Sequence, residues 1–221
     1  MKENVSPLQK SLNVWAIILI LWSIYRANFG TSLPVWLDEF LIKPIFFILP
    51  VFWYIKKIEK KSFFHEVDLH KKTLISDLLW GVGLGVAFFA VGYIGIMLKQ
   101  GFSFAQLSKL FQPQTLIVFI VAFATSVSEE ILSRGFVLKR LFEESKNALK
   151  SIALSSLLFF FLHIPILFTS QHMTGTVILQ VMMTDIALSV VVSVLYLQRR
   201  SLLLPIIIHA FYTFSLTFFL S

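Results

Sequence analysis

Residues 115–136, TLIVFIVAFATSVSEEILSRGF, place charged side chains directly after an apolar run. The first half of the stretch has no charged residue, and the second half has the adjacent carboxylates Glu129 and Glu130, followed by Arg134. Charged groups are costly in hydrocarbon, so within a membrane helix they pair with one another, line a cavity or take part in chemistry. The stretch therefore predicts a membrane-spanning helix that carries a polar cluster.

The composition of the whole chain agrees with a membrane protein. Of its 221 residues, 57% are hydrophobic and only 14% are charged, and 24 are phenylalanine. A soluble domain of this length needs a larger charged surface, whereas several apolar runs here approach the roughly 20 residues that cross a bilayer as a helix. The predicted fold is all-α: a polytopic membrane helix bundle of about seven (six to eight) transmembrane helices.

Two further properties of the composition exclude other classes of protein. The chain has no cysteine, which excludes a disulfide framework, a thiolate nucleophile and a thiolate metal site. The net charge is +7, but the basic residues stand in blocks between apolar runs, a pattern typical of topology signals and of contact with lipid headgroups. We therefore expect the lipid bilayer, and no nucleic acid, as a partner.

Seven apolar runs are predicted as spans, although the second is short and carries Lys43 and Pro44. The fourth is expected to continue as an amphipathic helix to about residue 144. Within the third, Gly81 and Gly85 form a GxxxG pair, which favours close helix packing. The predicted spans are 12–29, 40–55, 75–97, 115–133, 150–168, 176–197 and 201–220.

The basic residues fall mainly in alternate connections between these spans. The positive-inside rule then places the N-terminus in the cytoplasm and the C-terminus outside, in a multi-pass protein of the cell membrane. The first span lacks a small-residue cleavage site, so we interpret it as retained and not as a signal peptide. The loop over residues 56–72 is mixed in charge and is expected to be solvated. The basic set is Lys2, Lys10, Lys56, Lys57, Lys60, Lys61, Lys71, Lys72, Lys139, Arg140, Lys146, Lys150, Arg199 and Arg200; the other connections hold Arg26, Lys99 and Lys109.

Glu129, Glu130 and Arg134 differ in the partners that a helix offers them. Glu130 and Arg134 are four residues apart and face each other, so we expect them to pair. Glu129 lies about 100° around the helix and lacks that partner. One carboxylate held by arginine and one free to take a proton suit general-base chemistry. In the structural alternative, both acids leave the membrane at the cytoplasmic face and Arg134 is a topology charge.

Three more polar side chains, His163, Asp185 and His209, lie well inside separate apolar runs. Intramembrane polar residues tend to face a bundle interior or a water-filled cavity. We therefore expect the two histidines and Glu129, on three helices, to line one cavity. Asp185 is either a second proton carrier or a partner for Arg134 or a histidine.

A glutamate and two imidazoles support three kinds of chemistry. They activate water for hydrolysis, with the histidines stabilising the developing oxyanion. They bind zinc, since two histidines and a glutamate are a known catalytic ligand set. They also relay protons in transporters, but a transporter would be expected to have two repeated halves with interrupted helices, and the sequence has no visible internal repeat. The spacing of the three residues does not rank these alternatives.

Three short motifs in the C-terminal half resemble those of the type II CAAX prenyl endopeptidase family, also called the CAAX protease and bacteriocin-processing (Abi) family. Their order and their placement on successive or nearly successive spans also fit that family, and the resemblance covers roughly residues 115–215. The motifs are EExxxR at Glu129, Glu130 and Arg134, FxxxH at Phe159 and His163, and HxxxN at His209 and Thr213, where threonine replaces the usual asparagine.

The resemblance implies an all-helical intramembrane peptidase of the glutamate type, with no required metal and no cofactor. Residues 1–110 would supply N-terminal transmembrane helices and a basic cytoplasmic loop, and residues 111–221 would form the protease core with the three motifs. The catalytic residues implied are Glu129, which activates water, His163, which assists it, and His209 and Thr213, which stabilise the oxyanion; the supporting residues are Glu130, Arg134 and Phe159.

Thr213 is the departure from the family pattern. Its hydroxyl still donates one hydrogen bond but is shorter than an asparagine amide, and losing one oxyanion donor typically costs ~10²–10³ in rate. Thr213 is therefore a substitute donor, a cause of weak activity, or a sign that the chemistry has been lost.

The expected function is hydrolysis of a peptide bond in a membrane-associated peptide or protein, with the site reached from the cytoplasmic side. The resemblance to bacterial members of the family implies a role in bacteriocin self-immunity or peptide maturation. The alternative is a non-catalytic immunity or scaffold protein that binds a peptide or a membrane partner and keeps the motifs for stability.

Overall fold

The computed structural model describes residues 6–29, 33–69, 73–101, 108–169 and 175–220. Within these ranges the regular elements are helical and no strand occurs, which confirms the predicted all-α class. The described helices, numbered in chain order, are α1 (Pro7–Phe29), α2 (residues 35–58), α3 (Phe63–Glu66), α4 (Leu74–Gln100), α5 (Pro113–Ser145), α6 (Ala148–Thr169), α7 (Thr176–Arg199) and α8 (Leu203–Leu220).

Helices α2 and α5 combine α-helical segments with wider π-helical turns. In α5 the segment Pro113–Glu130 passes into π-helical turns over Ile131–Leu138 and returns to α-helix over Lys139–Ser145. In α2, π-helical turns lie at Asp38–Ile42 and Tyr54–Ile58. Such turns are rare and are frequent at functional sites, and the polar cluster described below includes residues from two of them.

Five helices are long and apolar enough to cross a membrane, and α8 is a shorter apolar helix. With α2, which contains the predicted second span, they form the polytopic bundle of about seven helices that the sequence predicts. Helix α5 extends to Ser145, so the predicted continuation of the fourth span is confirmed. The five apolar helices are Pro7–Phe29, Leu74–Gly95, Pro113–Ser145, Ala148–Pro165 and Ile178–Arg199.

Helix α4 packs against α8 through the predicted GxxxG pair. A Cβ atom added to Gly81 would lie 2.8 Å from the Cβ of Ile207, and one added to Gly85 would lie 2.3 Å from the ring of Phe211. Real Cβ atoms essentially never make contacts this short, so both positions require glycine at this helix spacing. The prediction of close packing is confirmed.

The prediction that the loop at 56–72 is solvated is wrong for its acidic part. Glu66 and Asp68 are buried, and Lys139 at the end of α5 donates to the Glu66 carbonyl at 2.8 Å and to Asp68 Oδ1 at 2.9 Å. Arg140 pairs with Glu59 at 2.6 Å. The loop folds onto α5 because the two buried cations at that helix end need acceptors.

The predicted orientation in the membrane and the predicted division of the chain at residue 110 both stay predictions. Lys2, Lys71 and Lys72, which contribute to the charge pattern, lie outside the described residues. Helices from both predicted regions share one bundle, since α1 packs on α6 and α4 packs on α8.

Candidate active site

The predicted pair of Glu130 and Arg134 forms at the start of the π-helical part of α5. Arg134 Nη1 donates to Glu130 Oε1 at 2.8 Å, and neither side chain is exposed. The Arg134 Nη2 atom donates to the hydroxyl of Ser189 on α7 at 2.6 Å, and the guanidinium lies over the ring of Phe159 on α6, 4.4 Å from its centre. The arginine thus joins three helices, and its burial rules out the structural alternative in which it is a solvent-exposed topology charge.

His209 on α8 lies beside the same carboxylate. Its Nδ1 atom is 2.8 Å from Glu130 Oε1, and its Nε2 atom is 3.6 Å from Glu129 Oε2. A carboxylate that is paired with an arginine accepts hydrogen bonds only, so Nδ1 is the donor in this contact. Glu130 therefore fixes both the orientation of the ring and the nitrogen that faces Glu129.

His163 on α6 is oriented in the same way by the backbone. Its Nδ1 atom lies 3.1 Å from the carbonyl oxygen of Phe159, and its Nε2 atom lies 3.4 Å from Glu129 Oε2. Because a carbonyl only accepts, Nδ1 again carries the hydrogen. Two histidines from different helices thus turn their Nε2 atoms toward one carboxylate oxygen.

The two oxygens of Glu129 have different surroundings, and the side chain is buried. Oε1 accepts a hydrogen bond from Lys43 Nζ at 3.0 Å, whereas Oε2 has no hydrogen-bond partner among the described residues. When both rings are neutral, their Nε2 lone pairs also point toward Oε2, so a proton or a hydrogen-donating molecule must sit among the three atoms. The arrangement can therefore take up and release a proton.

Lys43 and Glu39 of α2 are site residues that the sequence reasoning missed. Lys43 Nζ lies 2.6 Å from Glu39 Oε2 as well as 3.0 Å from Glu129 Oε1, and Thr125 donates to Glu39 at 2.7 Å. The sequence predicted only that Glu129 is left without Arg134, which pairs with Glu130; its ionic partner Lys43 comes from a different helix. The available signal was the spacing of Glu39 and Lys43, an acid and a base four residues apart in an apolar run.

One cavity of about 570 Å³ connects the predicted catalytic residues. Its wall includes Glu129, His163, His209 and Thr213, so the three motifs meet as expected. Much of the remaining lining is apolar, including Val35, Trp36, Ile117, Val118, Val121, Val181 and Leu216. The cavity is large enough for several residues of a peptide and offers it an apolar environment.

Asp185 of α7 lines the same cavity but does not pair with Arg134. The carboxylate is buried, and its Oδ1 atom lies 2.7 Å from the hydroxyl of Tyr212, which is also 2.7 Å from Thr184 Oγ1. The arginine bonds instead to Glu130 and to α7 serines. Of the roles considered for Asp185, the arginine partner is thus wrong, and Tyr212 is an additional partner that the sequence did not indicate.

The cavity lies at one end of the bundle. It is lined by the first residues of α2 and by residues near the start of α5 and α7 and near the end of α8. With the orientation predicted from the basic residues, that end faces away from the cytoplasm. The expected cytoplasmic access and the predicted orientation therefore conflict, and only one of them can hold.

No group of three histidine, cysteine, aspartate or glutamate side chains is arranged to hold a metal ion in the part of the chain that the structure describes.

Comparison with known proteins finds a family model that matches part of the chain. Residues 111–215 match the model of the Rce1-like family, described as type II CAAX prenyl endopeptidase Rce1-like. The matched segment contains Glu129, His163 and His209, and the resemblance predicted from the sequence is confirmed over it. No curated protein and no solved structure matches the chain. The match covers just under half of the chain and agrees with a membrane protein, since the chain has five helices long and apolar enough to cross a bilayer.

Proposed function

We propose that this chain is an intramembrane endopeptidase in which Glu129 activates water to hydrolyse a peptide bond, without a metal. The observation that carries the proposal is the position of Glu129 Oε2, 3.4 Å and 3.6 Å from the Nε2 atoms of two histidines at the wall of an apolar cavity. A carboxylate that shares a proton with imidazoles is suited to general-base catalysis. The match to a family of endopeptidases supports hydrolysis of a peptide bond as the reaction.

The proposed reaction gives a role to each of the four predicted catalytic residues that line the cavity. A water held between Glu129 Oε2 and His163 loses a proton to the carboxylate and attacks the carbonyl carbon of the peptide bond. The oxyanion of the tetrahedral intermediate accepts hydrogen bonds from His209 Nε2 and the Thr213 hydroxyl. Glu129 then passes its proton to the leaving nitrogen as the carbon–nitrogen bond breaks.

Glu130 supports this scheme by stabilising a protonated His209. To donate from Nε2 to an oxyanion while Nδ1 donates to Glu130, the ring must carry both protons. Glu130 supplies the compensating negative charge at 2.8 Å, and Arg134 keeps that carboxylate from rotating away. The pair thus has a role in orienting the histidine in addition to its role in joining helices.

The substrate that we propose is an apolar peptide or a peptide segment at the bilayer. The wall residues are largely aliphatic and the site is buried within a membrane bundle. By resemblance to bacterial members of the CAAX protease and bacteriocin-processing family, the biological role would be bacteriocin self-immunity or peptide maturation.

The test is cleavage by purified Glu129→Gln protein in liposomes, compared with the wild type. The probes are a fluorogenic farnesylated peptide with a C-terminal CAAX sequence and a set of quenched apolar peptides. We expect a loss of at least roughly 10²-fold in rate, because a general base contributes ~10²–10⁴. Glu144→Gln, at an exposed carboxylate near the end of α5, is the matched control. Cleavage by Glu129→Gln at the wild-type rate would contradict the proposal.

Removal of metals separates this proposal from zinc chemistry. Preincubation of the wild type with 1,10-phenanthroline is expected to leave the rate unchanged, since no step needs a metal. If the chelator abolishes activity and added zinc restores it, the reaction depends on a zinc site and not on a glutamate acting alone on water.

The second candidate, a non-catalytic immunity or scaffold protein, is favoured by the complete burial of the Glu130–Arg134 pair. Removing one partner of a buried ion pair costs about 3–5 kcal/mol of stability, so the motif has a structural value of its own. A scaffold would keep its immunity phenotype in Glu129→Gln cells and lose it in Arg134→Met cells. The peptidase loses the phenotype in both.

A further inference from the structure

Lys43 stands at the site although it lies far outside the segment that matches the family. The family match covers residues 111–215, whereas Lys43 belongs to α2. Its side chain is 2% exposed, and its ammonium lies between two carboxylates, 2.6 Å from Glu39 and 3.0 Å from Glu129. A buried lysine in a membrane bundle needs such partners, because an unpaired ammonium there is costly.

Lys43 has contacts other than Glu129 that hold its ammonium. Glu39 is one helical turn earlier on α2 and is itself held by the Thr125 hydroxyl at 2.7 Å, and the ammonium lies 5.8 Å from the centre of the Trp22 ring. These contacts fix the ammonium from the α1 and α2 side. Glu129 is thus bound by a cation that other residues already hold in place.

As a consequence, the two oxygens of Glu129 have different partners. Lys43 occupies Oε1, which leaves Oε2 to face the Nε2 atoms of His163 and His209. An adjacent positive charge in a low-dielectric interior also favours the ionised carboxylate. A base must be ionised and correctly oriented before it can take a proton from water.

We infer that Lys43 is a positioning residue that orients and ionises Glu129, so that α2 completes the active site. The role as an active-site residue rests on the proposed peptidase function, but the effect on the Glu129 carboxylate does not. The competing explanation is that Lys43 only joins α2 to α5. That explanation predicts lower stability without a change in the chemical state of Glu129.

Labelling with dicyclohexylcarbodiimide tests the inference without any substrate. This apolar reagent reacts with protonated carboxyl groups in membranes. The carboxyl proton passes to a carbodiimide nitrogen, the carboxyl oxygen adds to the carbodiimide carbon, and the acyl group then migrates to nitrogen to give a stable N-acylurea that peptide mass spectrometry locates. Because the loss of Lys43 also strips the partner from Glu39, the tested variant is the double substitution Glu39→Gln with Lys43→Met. We expect Glu129 to be labelled in that variant and unlabelled in the wild type and in Lys43→Arg.

Lys139→Met is the matched control for loss of a buried lysine. Lys139 is paired with Asp68 at 2.9 Å near the other end of α5, so its loss removes a buried ion pair without touching the site. Labelling of Glu129 in this control to the same extent as in the Lys43 variant would assign the effect to loosened folding and overturn the inference. Equal labelling in the wild type, or no labelling in any variant, would overturn it as well.

The second test measures kcat and KM with whichever of the peptide probes the wild type cleaves. Lys43→Met is expected to lower kcat by roughly 10²-fold with KM unchanged, since small misplacements of catalytic groups cost about that much, and Lys43→Arg should recover part of the rate. Added to Glu129→Gln, Lys43→Met should cause no further loss. A wild type that cleaves no probe would count against the peptidase alone, because the labelling result still decides the role of Lys43.

Discussion

Thr213 is the residue at which the sequence is expected to depart from the motifs of the family that it resembles. It lies one turn after His209 and lines the same cavity as Glu129 and His163. A hydroxyl at this position reaches less far than an amide, although both donate a hydrogen bond. In the proposed reaction, the side chain at this position determines how well the second hydrogen-bond donor reaches the oxyanion.

We predict that Thr213→Asn raises kcat and that Thr213→Val lowers it. Valine keeps the shape of the side chain but removes the donor, and loss of one oxyanion donor costs ~10²–10³ in rate. The measurement is single-turnover cleavage of the best probe in liposomes. Thr217→Val, one turn further along the same cavity wall, is the control and should be neutral. If Thr213 does not donate a hydrogen bond to the oxyanion, the Thr213→Val protein will cleave as fast as the wild type.

At the scale of helices, the packing of α4 on α8 affects the position of His209. The two glycines of the pair allow α8 to approach α4 so closely that Ile207 and Phe211 lie against its backbone. These residues flank His209, two positions before and two after it. A displacement of α8 at this contact would therefore move the histidine relative to Glu129.

We predict that Gly85→Ala destabilises the protein and that Gly83→Ala does not. The added Cβ at residue 85 would meet three atoms of the Phe211 side chain within 3 Å, whereas at residue 83 it meets nothing within 4 Å. Alanine is otherwise preferred over glycine in a helix by about 1 kcal/mol, so Gly83→Ala should be neutral or stabilising. Thermal unfolding in detergent micelles compares the two variants. An equal shift in Tm for both would contradict the close contact.

The elements also differ in how far the sequence could predict them. The pairing of Glu130 with Arg134 and the GxxxG contact were predictable, since each follows from helical periodicity within one segment. The contact between Lys43 and Glu129 joins residues 86 positions apart, and helical periodicity says nothing about such partners. From the sequence, Lys43 is only a charged residue in a short apolar span. One of its two acceptors, Glu129, lies on another helix and cannot be inferred from the sequence around Lys43.

At the scale of the whole molecule, basic residues and the cavity lie at opposite ends of the bundle. Arg140, Lys150 and Arg199 mark the end at which α5 finishes, α6 begins and α7 finishes, and the cavity lies near the other end. Composition and charge pattern predicted the bundle and its orientation, but they could not predict the depth of the cavity. That depth depends on how the helices pack, and it decides from which side a peptide enters.

We predict that the cavity end faces away from the cytoplasm, because the positive-inside rule places the basic end inside. The chain has no cysteine, so single cysteines report their side of the membrane without background. Lys109→Cys, exposed just before α5, should react with a membrane-impermeant maleimide in intact cells, and Glu144→Cys, exposed near the other end of α5, only after permeabilisation. The reverse pattern would place the cavity on the cytoplasmic side and favour an intracellular peptide. Labelling of both cysteines in intact cells would contradict a single orientation. The predicted pattern would mean that the substrate of the proposed peptidase reaches the cavity from outside the cell or from the outer leaflet.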